Sequence, residues 1–441
     1  MDRATVLQQL RQSIEWDVIV IGGGATGLGT AVDAASRGYR TLLLEAHDFA
    51  QGTSSRSTKL VHGGVRYLAQ GDIALVRAAL RERGLLKQNA PHLFHELGFV
   101  IPTYKWGEQA FYGLGLKVYD LLAGKLGLSR SRFLSRADTL AALPTIRSQG
   151  LKGGVLYFDG QFDDARLAIA LMRTVFDQGG VALNYCKVTG LIKESGKVAG
   201  VLAQDAESGE QFSLRAKVVI NATGVWVDAV RQMDNVGAKP MLSPSQGVHL
   251  VFDRAVLPSA QALLVPKTSD GRVLFMTPWH GRVIVGTTDT PRDDIPLEPR
   301  PFESEIDFIL ETANRYLTRP LTRADIKSSF VGLRPLVDPH SEHQAGAKTS
   351  ALSREHTIIA AESGLVTVTG GKWTTYRLMA EQTVNLAARI ASLPARACVT
   401  PTLHLHGYKE SYVEKGANLD TADLHGAHGT DDVLVRALPG A

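Results

Sequence analysis

A glycine-rich turn near the start of the chain has the residue types and spacing of a site for dinucleotide phosphates. Gly22, Gly24 and Gly27 follow an apolar, β-branched run, Asp17–Ile21, that predicts a buried strand. The first glycine allows a tight turn, the second lets the backbone approach a pyrophosphate, and the third packs the next helix against the strand. Free N–H groups at the start of that helix attract phosphate, and Glu45, at the tip of the next predicted strand, can bind a ribose diol. The alternative is a tight strand-to-helix turn that binds no ligand.

The polar loop that follows Glu45 is predicted to hold a second part of the same ligand. Residues 46–66 are rich in glycine, serine and threonine, whose hydroxyl and backbone N–H groups suit a clamp beside a phosphate site. The alternative is a solvated surface loop. The predicted contacts in the turn and the loop are Gly22, Gly24, Ala25, Thr26, Gly27, Glu45, Thr53, Ser54, Ser55, Ser57, Lys59, Gly63 and Gly64.

Alternating strands and helices are predicted to position these residues, as in a parallel α/β sheet. Short strands that recur between 241 and 290 predict an additional antiparallel sheet. An amphipathic helix is predicted near 111–126. The helices of the parallel part are predicted over Ala25–Arg37, Asp72–Asn89 and Asp164–Gln178, and its strands over Arg40–Leu44, Val181–Cys186 and Lys217–Asn221. Val198–Leu202 and Gln211–Leu214 are predicted as the two strands of a hairpin.

Length and composition narrow the class of protein. The 441 residues are enough for two or three domains, and a net charge of +4 gives no support for nucleic-acid binding. Cys186 and Cys398 are too few for a disulfide framework or a cysteine-rich metal site, so we predict a reducing compartment and no metal. The N-terminus lacks the apolar core of a signal peptide, and no apolar run is long enough to span a bilayer. Any membrane contact would therefore be peripheral.

Several motifs, in a consistent order, resemble those of the FAD-dependent glycerol-3-phosphate dehydrogenases. The longest is Thr-Ser-Ser-Arg-Ser-Thr-Lys-Leu-Val-His-Gly-Gly-Val-Arg-Tyr-Leu at 53–68, and another is Gly-Gly-Lys-Trp-Thr-Thr-Tyr-Arg at 370–377. The resemblance covers roughly 15–390 and implies FAD as cofactor. It also implies oxidation of sn-glycerol 3-phosphate to dihydroxyacetone phosphate, with electrons passed to a membrane quinone. The remaining matches are Asp163–Leu167, Asn221–Trp226, Gly286–Asp289 and Gly332–Pro335.

The resemblance also implies roles for individual residues. A phosphate dianion needs fixed cations, and Arg334 and Arg66 match substrate-site arginines of the family, with Arg272 a further candidate. His249 matches a substrate-site histidine and is predicted to be the base that removes the hydroxyl proton. Lys372 matches a lysine near the flavin, where a cation would stabilise the reduced ring. Arg66 is predicted to be catalytic as well as phosphate-binding. The remaining predicted cofactor contacts are His62, Val188, Ala222, Thr223, Gly224, Trp226, Asp289, Gly370, Gly371, Lys372 and Thr374.

Each of these roles has a structural alternative. The arginines could form surface salt bridges, and His249 could be a hydrogen-bonded histidine of a sheet. Lys372 could simply begin a helix, although the positive end of the helix dipole disfavours a lysine there. The glycines at 224, 370 and 371 could belong to ordinary turns.

The predicted fold is α/β: a Rossmann-like FAD-binding domain of the glutathione-reductase-like type, with an antiparallel β-sheet substrate domain. The FAD-binding domain is predicted to combine 15–90, 151–235 and 355–391, and the substrate domain 91–150 and 236–354. Members of the family usually continue into a helical C-terminal domain, so 392–441 is expected to be a shortened version of that region.

The resemblance further implies a cytoplasmic enzyme that contacts the inner face of the cytoplasmic membrane, with a homodimer as one predicted assembly. The sequence shows no obvious amphipathic anchor for that contact. Three alternatives stay open: an oxidase that uses oxygen, a dehydrogenase of another 2-hydroxy compound, and a catalytically inactive flavin-binding sensor. Arg66, Arg334 and His249 argue against the last of these.

Overall fold

The computed structural model describes residues 2–69, 71–337 and 356–409, and for residues 66 and 69 only the backbone. The helices are α1 (Arg3–Leu10), α2 (Ala25–Ser36), α3 (Val65–Ala69), α4 (Ile73–Asn89), α5 (Glu108–Ala123), α6 (Arg136–Ala142), α7 (Asp164–Asp177), α8 (Val227–Asp234), α9 (Glu303–Asn314) and α10 (Tyr376–Ile390). The strands are β1 (Trp16–Ile21), β2 (Thr41–Leu44), β3 (Leu60–Val61), β4 (Phe94–Thr103), β5 (Arg132–Leu134), β6 (Gly153–Phe162), β7 (Val181–Leu183), β8 (Cys186–Glu194), β9 (Lys197–Asp205), β10 (Gln211–Asn221), β11 (Leu242–Asp253), β12 (Ala262–Val265), β13 (Leu274–Trp279), β14 (Arg282–Gly286), β15 (Thr290–Pro291), β16 (Ser328–Val337), β17 (His356–Ala360) and β18 (Val366–Gly370).

The first sheet brings the ends of several parallel strands to one edge. Its order is β17-β18-β10-β1-β2-β7, with parallel pairing from β18 to β7 and a β8–β9 hairpin beside β10. Ile21 at the end of β1 pairs with both Asn221 of β10 and Leu44 of β2. The glycine-rich turn, Glu45 and Ala222 follow these strand ends, so the three segments meet at the carboxyl edge, where ligands of open α/β sheets bind.

One face of the second sheet packs into an apolar core, and its other face lies toward the first sheet. Its order is β15-β11-β14-β13-β12-β4-β6-β3, and β16 pairs with β11 along its whole length. Val248 and Leu250 are fully buried in a core that includes Ile309 of α9. Because side chains alternate along a strand, Gly247 and His249 face the opposite side.

Two features of the sheets differ from the sequence predictions. Gln211–Leu214 and Lys217–Asn221 were predicted as separate strands but form one continuous strand, β10, whose first half pairs with β9 and second half with β1. The first half of β10 alternates between exposed and buried residues, whereas its end is buried throughout. This change of pattern explains why the sequence predicted two strands. The predicted domain ranges also assign 60–61 and 153–162 to the FAD-binding domain, whereas β3 and β6 pair within the second sheet.

Candidate active site

A cavity of about 1330 Å³ lies between the carboxyl edge of the first sheet and the second sheet. It exceeds the roughly 300–1,000 Å³ of typical small-molecule pockets, so it suits a ligand with two parts. Most of the predicted site residues line it. They are Gly22, Gly24, Ala25, Thr26, Glu45, Thr53, Ser54, Ser57, His62, Gly64, Val188, Ala222, Thr223, Gly224, Trp226, His249, Arg272, Asp289, Arg334, Gly370, Gly371, Lys372 and Thr374.

The turn after β1 forms one end of the cavity and requires glycine. Gly22 has a φ of +108°, and a Cβ there would lie 2.6 Å from the carbonyl oxygen of Ala222. A Cβ on Gly27 would lie 1.9 Å from the carbonyl oxygen of Gly22. Gly27 therefore lets α2 pack closely against the turn, and its place is behind the cavity wall.

Glu45 and Ser54 flank the start of α2. The Glu45 carboxylate accepts the backbone N–H of Gly23 at 2.6 Å and that of His47 at 2.8 Å. The Ser54 hydroxyl accepts the N–H of Ala25 at 2.9 Å, so the polar loop folds over the helix N-terminus. These bonds hold the Glu45 carboxylate, an acceptor suited to a ribose, beside the N-terminus of α2, which attracts phosphate.

Part of the polar loop is held from behind by Asp164, a buried carboxylate at the start of α7. Asp164 accepts hydrogen bonds from the Ser57 N–H at 3.0 Å and the Ser57 hydroxyl at 2.7 Å, and it pairs with Lys59 at 2.5 Å. Lys59 also donates to the carbonyl oxygen of Ser55 at 2.6 Å. Burial raises the pKa of Asp164, and the adjacent Lys59 opposes this shift. Lys59 and Ser55 therefore support the loop and do not line the cavity.

A buried polar network that the sequence analysis missed holds Gly63. The Gly63 N–H donates to the Tyr119 hydroxyl at 2.7 Å, and that hydroxyl donates to Asp159 at 2.7 Å. Asp159 forms a buried ion pair with Arg83 at 2.8 Å. Burial raises the pKa of both Asp159 and Tyr119. The four residues are far apart in the sequence, so no local pattern signals their contact.

The turns at 222–224 and 370–371 also adopt glycine-dependent conformations. Gly224, Gly370 and Gly371 have φ angles of +60°, +78° and +69°. The Thr223 hydroxyl donates to Asn221 at 2.8 Å and so fixes the turn after β10. These turns hold the backbone close to the cavity on two sides.

Two arginines converge on one buried carboxylate at the other end of the cavity. Arg334 lies 3.4 Å and Arg272 lies 3.7 Å from Asp289, whose side chain is 3% exposed. Arg334 also donates to Thr287 at 3.1 Å, and Arg272 pairs with Asp270. Asp289 thus holds the two guanidinium groups beside each other in the cavity, where their planar sets of N–H donors are suited to bind an anion.

His249 lies on β11 with its ring enclosed by the second sheet. The ring stacks on Phe330 with centroids 4.7 Å apart, and Nε2 lies 2.9 Å from the Thr58 hydroxyl oxygen. Burial lowers the pKa of His249 to about 3, and Arg334 and Lys59 add to this shift. The imidazole is therefore neutral near pH 7.

Lys372 reaches the cavity beside Tyr67. Its ammonium lies 3.0 Å from the Tyr67 hydroxyl and 4.2 Å from the ring centroid. This contact fixes a cation near the turn at 370–371. Arg66, which was predicted to bind the substrate, lies in α3, and its side chain is outside the described part of the structure.

An apolar stripe on α5, which the sequence analysis did not identify as an anchor, borders the cavity. Phe111, Leu114 and Leu121 are 69%, 69% and 80% exposed, and Trp106 just before the helix is 89% exposed. The opposite side of the helix is buried through Tyr119. The spacing of apolar residues predicts the helix itself. It does not show which apolar residues stay exposed, because that depends on which side of the helix packs against the rest of the protein. Phe111, Leu114 and Val118 also line the cavity mouth.

Comparisons with known proteins agree with this architecture. Residues 17–377 match the family described as FAD dependent oxidoreductase. The chain is 44% identical over 424 residues to the mitochondrial glycerol-3-phosphate dehydrogenase of Macaca fascicularis, covering 92% of the chain and 58% of that protein. It is also 44% identical over 406 residues to the mitochondrial glycerol-3-phosphate dehydrogenase of Arabidopsis thaliana, covering 89% of the chain and 64% of that protein. The chain thus spans about three fifths of the length of these relatives.

Solved structures match as well. The glycerol-3-phosphate dehydrogenase of Bacillus halodurans complexed with FAD superposes with a TM-score of 0.75 and 36% identity, covering 92% of the chain and 71% of that structure. The L-alpha-glycerophosphate oxidase of Mycoplasma pneumoniae with FAD bound has a TM-score of 0.67 at 17% identity, covering 88% of the chain and 98% of that structure. The second match shows the fold alone.

Proposed function

The chain belongs to the FAD-dependent oxidoreductase family, and we propose that it oxidises sn-glycerol 3-phosphate to dihydroxyacetone phosphate. The observation that carries the proposal is the pairing of Arg272 and Arg334 around Asp289 in the same cavity as the glycine-rich turn. A place for a phosphorylated substrate and a place for a dinucleotide therefore share one space. The names of the macaque and Arabidopsis relatives support the same substrate.

The residues at the first-sheet end fit FAD. The turn packs tightly because Gly22 and Gly27 carry no side chain, and the Glu45 carboxylate accepts the N–H of Gly23 beside it. We propose that the turn binds the pyrophosphate, Glu45 the adenosine ribose, and the turns at 222–224 and 370–371 the rest of the cofactor. When bound, FAD supplies the two-electron redox chemistry, by accepting hydride from the substrate.

The residues at the second-sheet end fit a three-carbon phosphate. We assign the phosphate to Arg334 and Arg272, with Arg66 as a further predicted contact, because guanidinium groups bind phosphate through paired N–H donors. We assign Lys372 to the C2 oxygen and place His249, as a neutral ring, among the residues around it. As the C2 hydride leaves, the hydroxyl proton must also leave, and a fixed cation such as Lys372 stabilises negative charge on that oxygen.

The apolar stripe of α5 is the surface that we propose for the membrane. Four cationic residues close to α5 in the sequence are also exposed: Lys105, Lys125, Arg130 and Arg132. An apolar face with a basic margin is typical of helices that lie in the surface of an anionic bilayer. Every helix in the described part of the chain falls short of the length and apolarity of a membrane span. The location at the inner face of the cytoplasmic membrane and a homodimer stay proposals.

The stripe also supports a quinone as electron acceptor. Phe111, Leu114 and Val118 belong both to the outward face of α5 and to the mouth of the cavity. A lipid-soluble acceptor could therefore reach the cavity from the bilayer without crossing a polar surface. Oxygen as acceptor is the competing outcome.

Anaerobic flavin reduction tests the substrate. The purified holoenzyme is mixed with glycerol 3-phosphate, with lactate as another 2-hydroxy compound, or with glycerol, and the visible absorbance of the flavin is followed. We expect bleaching with glycerol 3-phosphate at concentrations where lactate and glycerol give none. Bleaching by lactate alone would identify a different dehydrogenase, and no bleaching by any of the three would support an inactive flavin protein.

The acceptor is tested on the reduced enzyme. A short-chain quinone and dissolved oxygen are added in separate experiments, and the rate at which the flavin colour returns is compared. Faster reoxidation by the quinone is expected, whereas fast reoxidation by oxygen with production of peroxide would identify an oxidase.

A further inference from the structure

The surroundings of His249 differ at its two ring nitrogens. Nε2 lies 2.9 Å from the Thr58 hydroxyl oxygen, whereas Nδ1 is buried and has no hydrogen-bond partner among the described residues. The residue as a whole is 3% exposed. A Cβ on Gly286 of the neighbouring strand would lie 2.5 Å from the ring, so the ring cannot move toward that strand.

This difference selects one tautomer. A neutral imidazole carries one hydrogen, on either Nδ1 or Nε2. A hydrogen on Nδ1 would be a buried donor without an acceptor, and orphaned buried N–H groups are rare in native proteins. A hydrogen on Nε2 is accepted by Thr58. The geometry therefore favours the tautomer with its hydrogen on Nε2, which agrees with the lowered pKa of the ring, since protonating the ring would place a hydrogen on both nitrogens.

The backbone on both sides of Thr58 is fixed, so its hydroxyl is held at the position that favours this tautomer. Its neighbours on both sides, Ser57 and Lys59, are bound to the fully buried Asp164. Lys59 has a φ of +62°, a left-handed conformation that is uncommon for a residue other than glycine. The ion pair with Asp164 offsets this strain and fixes the backbone immediately after Thr58.

We propose that Thr58 fixes His249 as the Nε2–H tautomer and donates its own hydroxyl hydrogen to the C2 oxygen of the bound substrate. Because the Thr58 oxygen accepts from His249, its hydrogen must point to another acceptor. Both residues line the cavity. Thr58 is then a substrate-binding residue that stabilises negative charge on the C2 oxygen, and the hydroxyl proton of the substrate leaves to solvent water. His249 is a positioning residue that polarises Thr58, in place of the base that the sequence predicts. This inference rests on the proposed function for the identity of the substrate.

The assignment to the C2 oxygen follows from the position of Arg334. Its guanidinium packs over Gly247, where a Cβ would lie only 2.3 Å from it. Gly247 and His249 are on the same face of β11, separated by about 7 Å along the strand. A phosphate held over Gly247 therefore places the carbinol of a three-carbon substrate toward His249 and Thr58.

Nitrogen NMR of the holoenzyme tests the tautomer without substrate. The protein is labelled with ¹⁵N-histidine, and the signals of His249, one of 13 histidines, are identified by their loss in His249→Asn. The expected result at pH 7 is a neutral ring with its hydrogen on Nε2. A hydrogen on Nδ1, or a protonated ring, would overturn the proposal. Because no substrate is present, this outcome does not depend on the proposed function.

Two variants at Thr58 test the contact with substrate. Thr58→Val removes the hydroxyl and keeps the shape, and we expect kcat/KM for glycerol 3-phosphate to fall by about 10- to 100-fold. Thr58→Ser restores a hydroxyl and is expected to stay within about threefold of the original enzyme. The Kd of inorganic phosphate, measured by flavin absorbance, should be unchanged in both. Rates are normalised to bound flavin, so partial misfolding does not imitate the effect.

Thr277→Val is the matched control, because Thr277 is fully buried in the second sheet and does not line the cavity. Its kcat/KM should stay within about twofold of the original. The proposal is overturned if Thr58→Val behaves like this control, if serine fails to rescue, or if phosphate binding weakens as much as kcat/KM. If the original enzyme is not reduced by glycerol 3-phosphate at all, the proposed function fails instead, and the NMR result still stands.

Discussion

Replacing Arg334 with glutamine removes one of the two cations that face the proposed phosphate position. The guanidinium lies 3.4 Å from Asp289 and 3.1 Å from the Thr287 hydroxyl, and its side chain is 25% exposed. Arg272 would then remain with Asp289 and Asp270, and the net charge of these groups would fall from about 0 to about −1. The anion-binding character of this end of the cavity should be lost.

The size of the effect follows from the bonds that disappear. Hydrogen bonds to a charged group contribute about 1.5–3 kcal/mol each, and each 1.4 kcal/mol is a factor of ten. The KM for glycerol 3-phosphate should therefore rise roughly 10- to 150-fold in Arg334→Gln. The maximal rate should fall much less, because the residues assigned to the C2 oxygen are unchanged. FAD content should also be unchanged, since Arg334 is assigned to substrate alone.

Stopped-flow bleaching of the flavin under anaerobic conditions measures both constants. Arg323→Gln is the matched control, because that arginine is 46% exposed and pairs with Glu303 and Asp307 on the surface. Surface ion pairs contribute about 0–1 kcal/mol, so the control should keep the original KM. A KM in Arg334→Gln within twofold of the control would refute the assignment of the phosphate to this arginine.

Three further outcomes are expected. Glu45→Ala should weaken FAD binding by roughly 10-fold or more, because the carboxylate assigned to the ribose is lost. Equilibrium dialysis of the apoprotein measures the Kd of FAD, and an unchanged Kd would contradict the role of Glu45. Burial lowers the pKa of His92 to about 4. Below pH 6.5 the unfolded chain therefore takes up a proton at this residue that the folded protein does not take up, and the free energy of unfolding decreases as the pH falls toward 4. His92→Gln should therefore lose less stability than the original between pH 7 and pH 5, by about 1–2 kcal/mol in urea unfolding, and equal losses would exclude this linkage. Leu114→Asp with Leu121→Asp should abolish flotation with anionic vesicles, while Val236→Asp, at a side chain 92% exposed away from α5, should not.

Local patterns in the sequence were sufficient to predict the end of the cavity that lies at the first sheet. The strand, glycine turn, helix and Glu45 are close in the sequence, and each residue type there has one strong physical requirement. The α/β fold class and FAD as cofactor were also predicted, and the family match confirms both. The start of α2 at Ala25 was predicted as the structure has it.

Contacts between distant segments could not be predicted in the same way. Thr58 meets His249 only because β11 and the polar loop face each other across the cavity. Lys59 was predicted to contact the cofactor because of its polar neighbours, yet it pairs with Asp164, which is far away in the sequence. A cation and a distant buried carboxylate leave no periodic signal, so only the folded structure reveals such pairs.

In the proposed reaction, hydride leaves C2 of a substrate whose phosphate lies at Arg272 and Arg334 and enters a flavin in the same cavity. Anaerobic single-turnover bleaching with glycerol 3-phosphate that carries deuterium at C2 tests it most directly. We expect deuterium at C2 to slow bleaching several-fold, while deuterium at C1 and C3 leaves the rate unchanged. Equal rates with all three substrates when chemistry limits the turnover, or a flavin that stays oxidised, would contradict it.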